Sequence, residues 1–448
     1  MIPEGACATS LAPATLPPSL LRPWLPRVAA RAPNLYPSYG LYQATVTAAD
    51  TLVLLFAVRL LDTSAGELGF LDSASTLGYT LAAVALGFSA RRLAASRPVL
   101  VLGFLLTALT IVLFSAAGAL WIAVVLALLF GAFTVVPNST VPWYLCSRVH
   151  RSQWAQIYGR LSAASALGGA AGLLFAFGWL TAARVWTGEV AGERSLFLLL
   201  GVATAVAAGG VWYARGSPPG PSRRTPRKAA GSDTPSLLRP AAAATTEPRL
   251  PLPSARPASS VRTFHDSWLV HYLLTGLLQV GVGMSFTGAL LYLMTAVHAP
   301  GAAVLAIVLG FRLASWLSST PAGRLVGRFT PLRLQQAAGA WRFLAVSALG
   351  LVALLPPGPW SVVLVGLLLF LCGASSGVLG VTGLAAATWA IPSHSQGAAI
   401  FFFNGVANGG VGLGAVAAAL LAPAYGFPLL MAFSSLTIGC ALWLWHRY

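Results

Sequence analysis

Residues 215–228 read RGSPPGPSRRTPRK, and the chain keeps this character as far as Phe264. The stretch 215–264 is dense in Pro, Arg, Ser and Ala, and its only acidic residues are Asp233 and Glu247. Such a composition buries too little apolar surface to offset the entropy lost on ordering. We therefore predict a flexible basic linker, with a near-continuous apolar block on either side of it.

The composition indicates a polytopic membrane protein. Of the 448 residues, 57% are hydrophobic and only 8% are charged, whereas about a quarter of the residues of a soluble domain are charged. Each apolar block is long enough for about six spans of roughly 20 residues. The formal net charge of +17 would suggest nucleic acid in a soluble protein. Here the basic residues lie between apolar runs, which favours a role in membrane topology and excludes nucleic acid as a partner.

We predict an all-α fold of twelve transmembrane helices in two six-helix bundles. The domains follow as a tail (1–35), a first bundle (36–214), the linker (215–264) and a second bundle (265–448). The predicted helices lie at about 38–60, 68–90, 98–118, 120–142, 153–180, 195–214, 268–296, 301–322, 333–355, 360–390, 396–420 and 424–446.

Arginines mark every second connection. They follow the second, fourth and eighth helices, fill the linker and end the chain at Arg447. Because cytoplasmic loops carry the excess of basic residues, we expect both termini and the linker to face the cytoplasm. The protein is then a multi-pass protein of the cytoplasmic (inner or plasma) membrane, with its basic loops at anionic headgroups.

The two halves repeat one pattern of small residues. WAQIYGRLSAASALGGAAG (154–172) follows the fourth helix, and SQGAAIFFFNGVANGGVGLGAV (395–416) follows the tenth. In each segment small residues recur at spacings of three and four, which lets helices approach closely in lipid.

Two loops carry a resemblance to a known family. GRLVGRFTPLR (323–333) lies between the eighth and ninth helices, and GFSARRLAAS (87–96) lies at the equivalent place in the first half. Both resemble the loop signature of the major facilitator superfamily. Gly87, Arg92, Gly323 and Arg328 match that signature, but its acidic position is occupied by Arg91 in the first copy and by Gly327 in the second. The charge latch that the family makes with that acidic residue is therefore in doubt.

The resemblance implies a secondary active transporter, a permease that carries a small-molecule solute across the cytoplasmic membrane by alternating access. It further implies coupling to an ion gradient, with protons as the expected ion, no cofactor, no metal and function as a monomer. Direction stays open between uptake and efflux. The fifth helix lacks the proline of the family's antiporter signature, which argues against drug efflux but does not establish uptake.

Charged residues inside the spans are the first candidates for the site, since each costs on the order of 3 kcal/mol at the bilayer centre. Asp50 lies near the middle of the first helix, and Arg312 at the corresponding depth of the eighth. A pair between them would keep Asp50 charged, whereas isolation in an apolar wall would favour its neutral form and proton coupling. Asp50 and Arg312 are the substrate or coupling candidates under either alternative.

Uncharged polar residues extend the candidate lining to Gln279 of the seventh helix and to Asn404 and Asn408 of the eleventh. Asn404 and Asn408 share a helix face at four-residue spacing. Interhelical hydrogen bonds are the alternative to substrate contact for all three.

Three further residues receive more modest interpretations. We expect Arg342 to snorkel to the inner leaflet, Asp72 to lie near the outer edge of the second helix, and Asn138 to lie at the cytoplasmic edge, where its match to a glycosylation sequon is discounted.

Two other classes of function remain as alternatives. A transporter-like receptor or sensor would bind ligand without flux and signal through the linker. A membrane-embedded lipid enzyme would need an acid and a base at one depth, whereas Asp50 and Asp72 are expected at different depths, so we predict that the protein is not an enzyme. The sequence contains no phosphate-binding loop preceded by a strand, which argues against direct ATP drive.

Overall fold

The computed structural model describes residues 35–60, 65–90, 96–186, 188–213, 261–389, 391 and 395–447. The predicted tail 1–35, apart from Leu35, and most of the linker 215–264 lie outside these residues. So do Arg91 and Arg92 of the first loop signature.

The first half of the chain contains helices α1 to α6. They are α1 (Leu35–Leu60), α2 (Ala65–Ser89), α3 (Arg97–Phe114), α4 (Leu120–Cys146), α5 (Trp154–Trp186) and α6 (Glu189–Tyr213).

The second half repeats the arrangement. Its helices begin with α7 (Val261–Leu291), which ends in a π-helical turn (Tyr292–Ala296), followed by α8 (Gly301–Leu325), α9 (Pro331–Val352) and α10 (Pro359–Trp389). The last helical stretch, Gln396–Arg447, breaks at Gly426, whose φ of 79° and ψ of 165° are not helical. We number its two arms α11 (residues 396–425) and α12 (residues 427–447). The described residues thus hold the helices that the apolar runs predict, with no strand among them.

The helices are apolar on the outside as well as on the inside. In α3, Phe104, Ile111 and Phe114 are buried, while Leu102, Leu105, Leu109 and Leu113 on the other face are exposed. A helix that is hydrophobic all round is typical of a membrane span. Within the described residues, eight helices are long and apolar enough to cross a membrane by themselves, the stretch Gln396–Arg447 counting once. The helices outside those eight are α1, α2 and α9, each of which carries several polar side chains.

Small residues set the closest helix contacts, and they do so at equivalent places in the two halves. A Cβ added at Gly172 of α5 would lie 2.0 Å from the carbonyl oxygen of Ala44 in α1. A Cβ added at Gly414 of α11 would lie 2.1 Å from the carbonyl oxygen of Val280 in α7. The repeated small-residue pattern therefore allows the close approach that the sequence predicts, and the structure shows the partners to be α1 for α5 and α7 for α11.

The halves meet mainly through α2 against α11 and α5 against α8, which are again equivalent pairs. We call the end of the molecule at which α6 ends and α7 begins the linker end. There one hydrophobic cluster contains residues of both halves, such as Tyr144 and Tyr158 with Val326 and Ile400. At the opposite end the clusters are separate, one made only of first-half residues and one only of second-half residues. The molecule is therefore closed at the linker end.

Candidate functional site

A small cleft lies in the first half, away from the linker end. It contains the two carboxylates of α1 and α2 in a mostly apolar wall. Its lining residues are Asp50, Val53, Leu71, Asp72, Ser75, Phe114, Ala127 and Phe130.

Asp50 and Asp72 lie at the same depth, which corrects the prediction that Asp72 lies near the outer edge. Asp50 is the sixteenth residue of α1, and Asp72 is about two turns into α2, which runs in the opposite direction. The Asp50 residue is exposed at the cleft and Asp72 is half-buried. Sequence reasoning missed the pair because the tilt and stagger of neighbouring helices decide which depths coincide.

Arg312 of α8 faces this pair from the second half. The Arg312 side chain is half-buried. Its guanidinium attracts the Asp50 carboxylate, whereas the Asp72 carboxylate repels it. No direct salt bridge joins Asp50 and Arg312 among the described side chains. The structure therefore places two carboxylates of the first half in one cleft, with a guanidinium of the second half within electrostatic reach of Asp50.

A hydrogen-bonded polar floor lies between the cleft and the linker end. We use this name for Tyr39 and Gln43 of α1, Asn138 and Ser139 of α4, and Asn404 of α11. The Asn138 Oδ1 accepts hydrogen bonds from Gln43 Nε2 at 2.6 Å and from the Tyr39 hydroxyl at 3.3 Å. Gln43 precedes Asp50 by about two helical turns, so the floor lies about 10 Å from the carboxylates.

The polar floor joins the two halves. The Asn404 Nδ2 donates to Ser139 Oγ at 2.9 Å, and this bond runs from α11 to α4. Asn404 thus makes the interhelical bond that the sequence offered as one alternative. Asn408 instead donates to the Asn404 carbonyl of its own helix. Gln279 is half-buried where α7 meets α11, since a Cβ at Gly410 would lie 2.8 Å from its Cβ. Neither Gln279 nor Asn408 lines the cleft.

Asn138 is the residue of the floor that sequence reasoning misjudged. It lies well inside α4, eight residues before the end of the helix at Cys146, and not at the membrane edge. The available signal was a polar amide beside Pro137 in a 27-residue apolar helix. Such an amide needs a partner inside the protein, because lipid offers none.

The loop-signature glycines lie where the halves touch. A Cβ on Gly87 of α2 would lie 3.1 Å from the ring of Phe402 in α11. A Cβ on Gly323 of α8 would lie 2.6 Å from the carbonyl oxygen of Ala155 in α5. Arg328 is exposed at the linker end.

Arg342 of α9 does not snorkel, contrary to the prediction. Only 1% of its surface is exposed, and its Nη1 donates to the Cys372 carbonyl at 3.1 Å and to the hydroxyls of Ser375 and Ser376 in α10. The prediction was wrong because sequence depth does not reveal which face of a helix points into its own bundle.

The described residues contain no group of three or more His, Cys, Asp or Glu side chains that could hold a metal ion. What the arrangement offers is a set of ionisable and hydrogen-bonding groups in a cleft that is closed on one side.

Two six-helix halves related by a repeat, closed at one end around polar membrane-embedded residues, define the class of polytopic transport proteins. A sequence model described as Major Facilitator Superfamily matches residues 35–415, so the chain belongs to this superfamily of transporters. A search of curated proteins found no match.

Solved structures of the superfamily share the fold. The human organic anion transporter MFSD10 (TETRAN) aligns with a TM-score of 0.66 at 14% identity, covering 94% of this chain and 100% of its own. FucP in the outward conformation aligns with a TM-score of 0.63 at 14% identity, covering 92% and 97%. The nucleoside transporter NupG aligns with a TM-score of 0.59 at 10% identity, covering 92% and 99%. At these identities the likeness extends to the fold alone.

Proposed function

We propose that this transporter is a secondary active permease that moves a small polar solute by alternating access, coupled to protons. The observation that carries the proposal is the asymmetry of the molecule. One hydrophobic cluster fuses the halves at the linker end, whereas the clusters at the other end belong to one half each. A rocking motion of the halves would open the linker end and close the opposite end, so that the carboxylates and the polar floor face each side of the membrane in turn.

Proton coupling is proposed from the three charges. Two carboxylates in one cleft repel each other when both are ionised, so a proton bound between Asp50 and Asp72 relieves the repulsion. Arg312, on the other half, attracts the ionised pair more strongly than the protonated pair. Protonation would therefore change the attraction between the halves, which is what coupling a proton to a rocking motion requires. FucP, a superfamily member of the same fold, is a fucose:proton symporter.

The solute would be neutral or zwitterionic and rich in hydroxyl or amide groups. The polar floor contains three amides, one phenol and one hydroxyl, which donate and accept hydrogen bonds. The cleft adds Phe114 and Phe130 as apolar faces. Such a combination suits a compact ring or chain that bears several polar groups. We leave the direction of net transport, uptake or efflux, to the experiment.

The orientation is part of the proposal. Arg324, Arg328 and Arg333 are exposed at the linker end. By the positive-inside rule that end, with both termini and the linker, faces the cytoplasm of an inner or plasma membrane, where anionic headgroups would contact these arginines. The cleft then opens to the outside.

The experiment has two steps. Purified protein is screened for polar solutes that raise its thermal unfolding midpoint, and each hit is tested for counterflow in proteoliposomes at two pH values. Counterflow with a solute that also moves protons supports the proposal. Binding of a hit without counterflow would contradict it and favour the receptor. Counterflow that does not change with pH or with a proton gradient would support transport but contradict proton coupling.

A further inference from the structure

Arg151 of the first half caps a helix of the second half. It lies in the 3₁₀ turn Arg151–Gln153 that leads into α5 at the linker end. Its Nη2 donates to the carbonyl oxygens of Thr388 at 3.2 Å, of Trp389 and of Ile391 at 2.9 Å, all at the end of α10. One guanidinium thus joins the halves through three backbone acceptors.

These acceptors are suited to a guanidinium. The last carbonyls of a helix have no partner within the helix and carry its partial negative charge. Arginine carries its charge on a rigid planar fork of N–H groups. Here the two N–H groups of Nη2 are shared among the three carbonyls. Close by, the Tyr158 hydroxyl of α5 donates to Thr388 Oγ1 at 3.2 Å.

The cap is a contact between the halves in a chain whose loop signatures lack the acidic residue. Arg91 and Gly327 occupy the two positions at which a carboxylate would stand. Among the described residues, a charge contact between the halves is found at the α4–α5 connection, with the charge on the first half and the helix end on the second.

We propose that Arg151 is a positioning residue of the transport cycle that holds the linker end closed by capping α10. The inference rests on the proposed alternating access, because the cap has to break whenever the linker end opens. Backbone carbonyls accept the bonds, so the identity of the α10 side chains does not set the strength of the cap.

Arg148 provides a matched control. It lies three residues before Arg151 in the same connection, and its guanidinium carbon lies 3.9 Å from the centre of the Tyr144 ring. Tyr144 belongs to α4 of the same half. Arg148 therefore has the same charge and nearly the same position but no bond to the second half among its described contacts.

The test measures the distance between the halves at the linker end. Spin labels are placed at Ser89 of the first half and Phe329 of the second, both of which are exposed, in full-length protein without its native cysteines. Electron–electron distance distributions are recorded for the otherwise unaltered protein and for Arg151→Ala, Arg151→Lys and Arg148→Ala. We expect Arg151→Ala to raise the ratio of long to short distances about tenfold, which corresponds to about 1.4 kcal/mol.

Arg148→Ala should leave the ratio unchanged. Arg151→Lys should raise it less than Arg151→Ala, because lysine keeps the charge but lacks the planar fork that sets Arg151 Nη2 against the α10 carbonyls. Equal ratios for Arg151→Ala and Arg148→Ala would overturn the proposal. A lysine variant equal to the unaltered protein would also overturn it, since charge alone would then suffice. If Arg151→Ala fails to fold, the proposal is tested by comparing the distance ratios of Arg151→Lys and Arg148→Ala, and equal ratios would overturn it. A single distance in every variant, with and without solute, would contradict alternating access itself.

Discussion

Gly323→Ala tests whether the closed linker end depends on backbone contact between the halves. The new Cβ would lie 2.6 Å from the Ala155 carbonyl oxygen and 3.3 Å from the Gly159 Cα, both in α5. Ordinary contact begins at 3.4 Å, so α8 and α5 would have to separate by about 0.8 Å. Forcing a methyl group into a packed contact typically costs about 1–3 kcal/mol.

That cost falls on the closed form, because opening the linker end separates the two helices. A bias of about 1–3 kcal/mol shifts a two-state ratio by roughly 5–150-fold. The Ser89 and Phe329 label pair reads this ratio directly. Gly327→Ala is the control, because the nearest atom to its added Cβ is the Arg324 carbonyl oxygen of its own turn, at 3.3 Å. If Gly323→Ala gave the same distance distribution as Gly327→Ala, the packing argument for the closed end would be refuted.

Two further predictions concern stability, and each is checked by the thermal unfolding midpoint in detergent. Gly172→Ala should lower the stability by about 1–3 kcal/mol, because its Cβ would meet the Ala44 carbonyl oxygen at 2.0 Å. Gly178→Ala is the control on the same helix, since an added Cβ there has nothing within 4 Å, and it should leave the stability unchanged. Equal midpoints for Gly172→Ala and Gly178→Ala would contradict the close α1–α5 contact. Arg342→Met should keep or raise the midpoint, since it removes a buried charge while the Ser375 and Ser376 hydroxyls still donate to the Cys372 carbonyl. A loss of more than about 2 kcal/mol would show that the guanidinium is needed for folding.

The sequence predicts most of the fold because its signals are local. Apolar runs of span length and the breaks between them identify the helices. The break between the last two is predicted between residues 420 and 424 and is found at Gly426. The small residues at Gly172 and Gly414 identify the faces that pack closely, because a helix face is a matter of spacing along one segment.

The site is predicted less completely because it is made by contacts between distant segments. Asp50 and Arg312 are recognisable because a charge in a span is conspicuous. That Asp72 shares the cleft with Asp50 depends on how two helices are staggered, and the burial of Arg342 depends on which way its helix is turned. The Arg151 cap joins residues more than 230 positions apart through backbone carbonyls, which leave no mark in the sequence.

The most direct test of the account is the movement of protons with solute. Proteoliposomes carry a pH-sensitive dye inside, and a counterflow-active solute is added outside at equal pH. The account predicts that the unaltered protein shifts the internal pH as the solute moves. It predicts that Asp50→Asn, which mimics the protonated carboxylate, still exchanges solute but produces no pH change. An Asp50→Asn protein that moves protons and solute as before, or an unaltered protein that moves solute without any pH change, would contradict it.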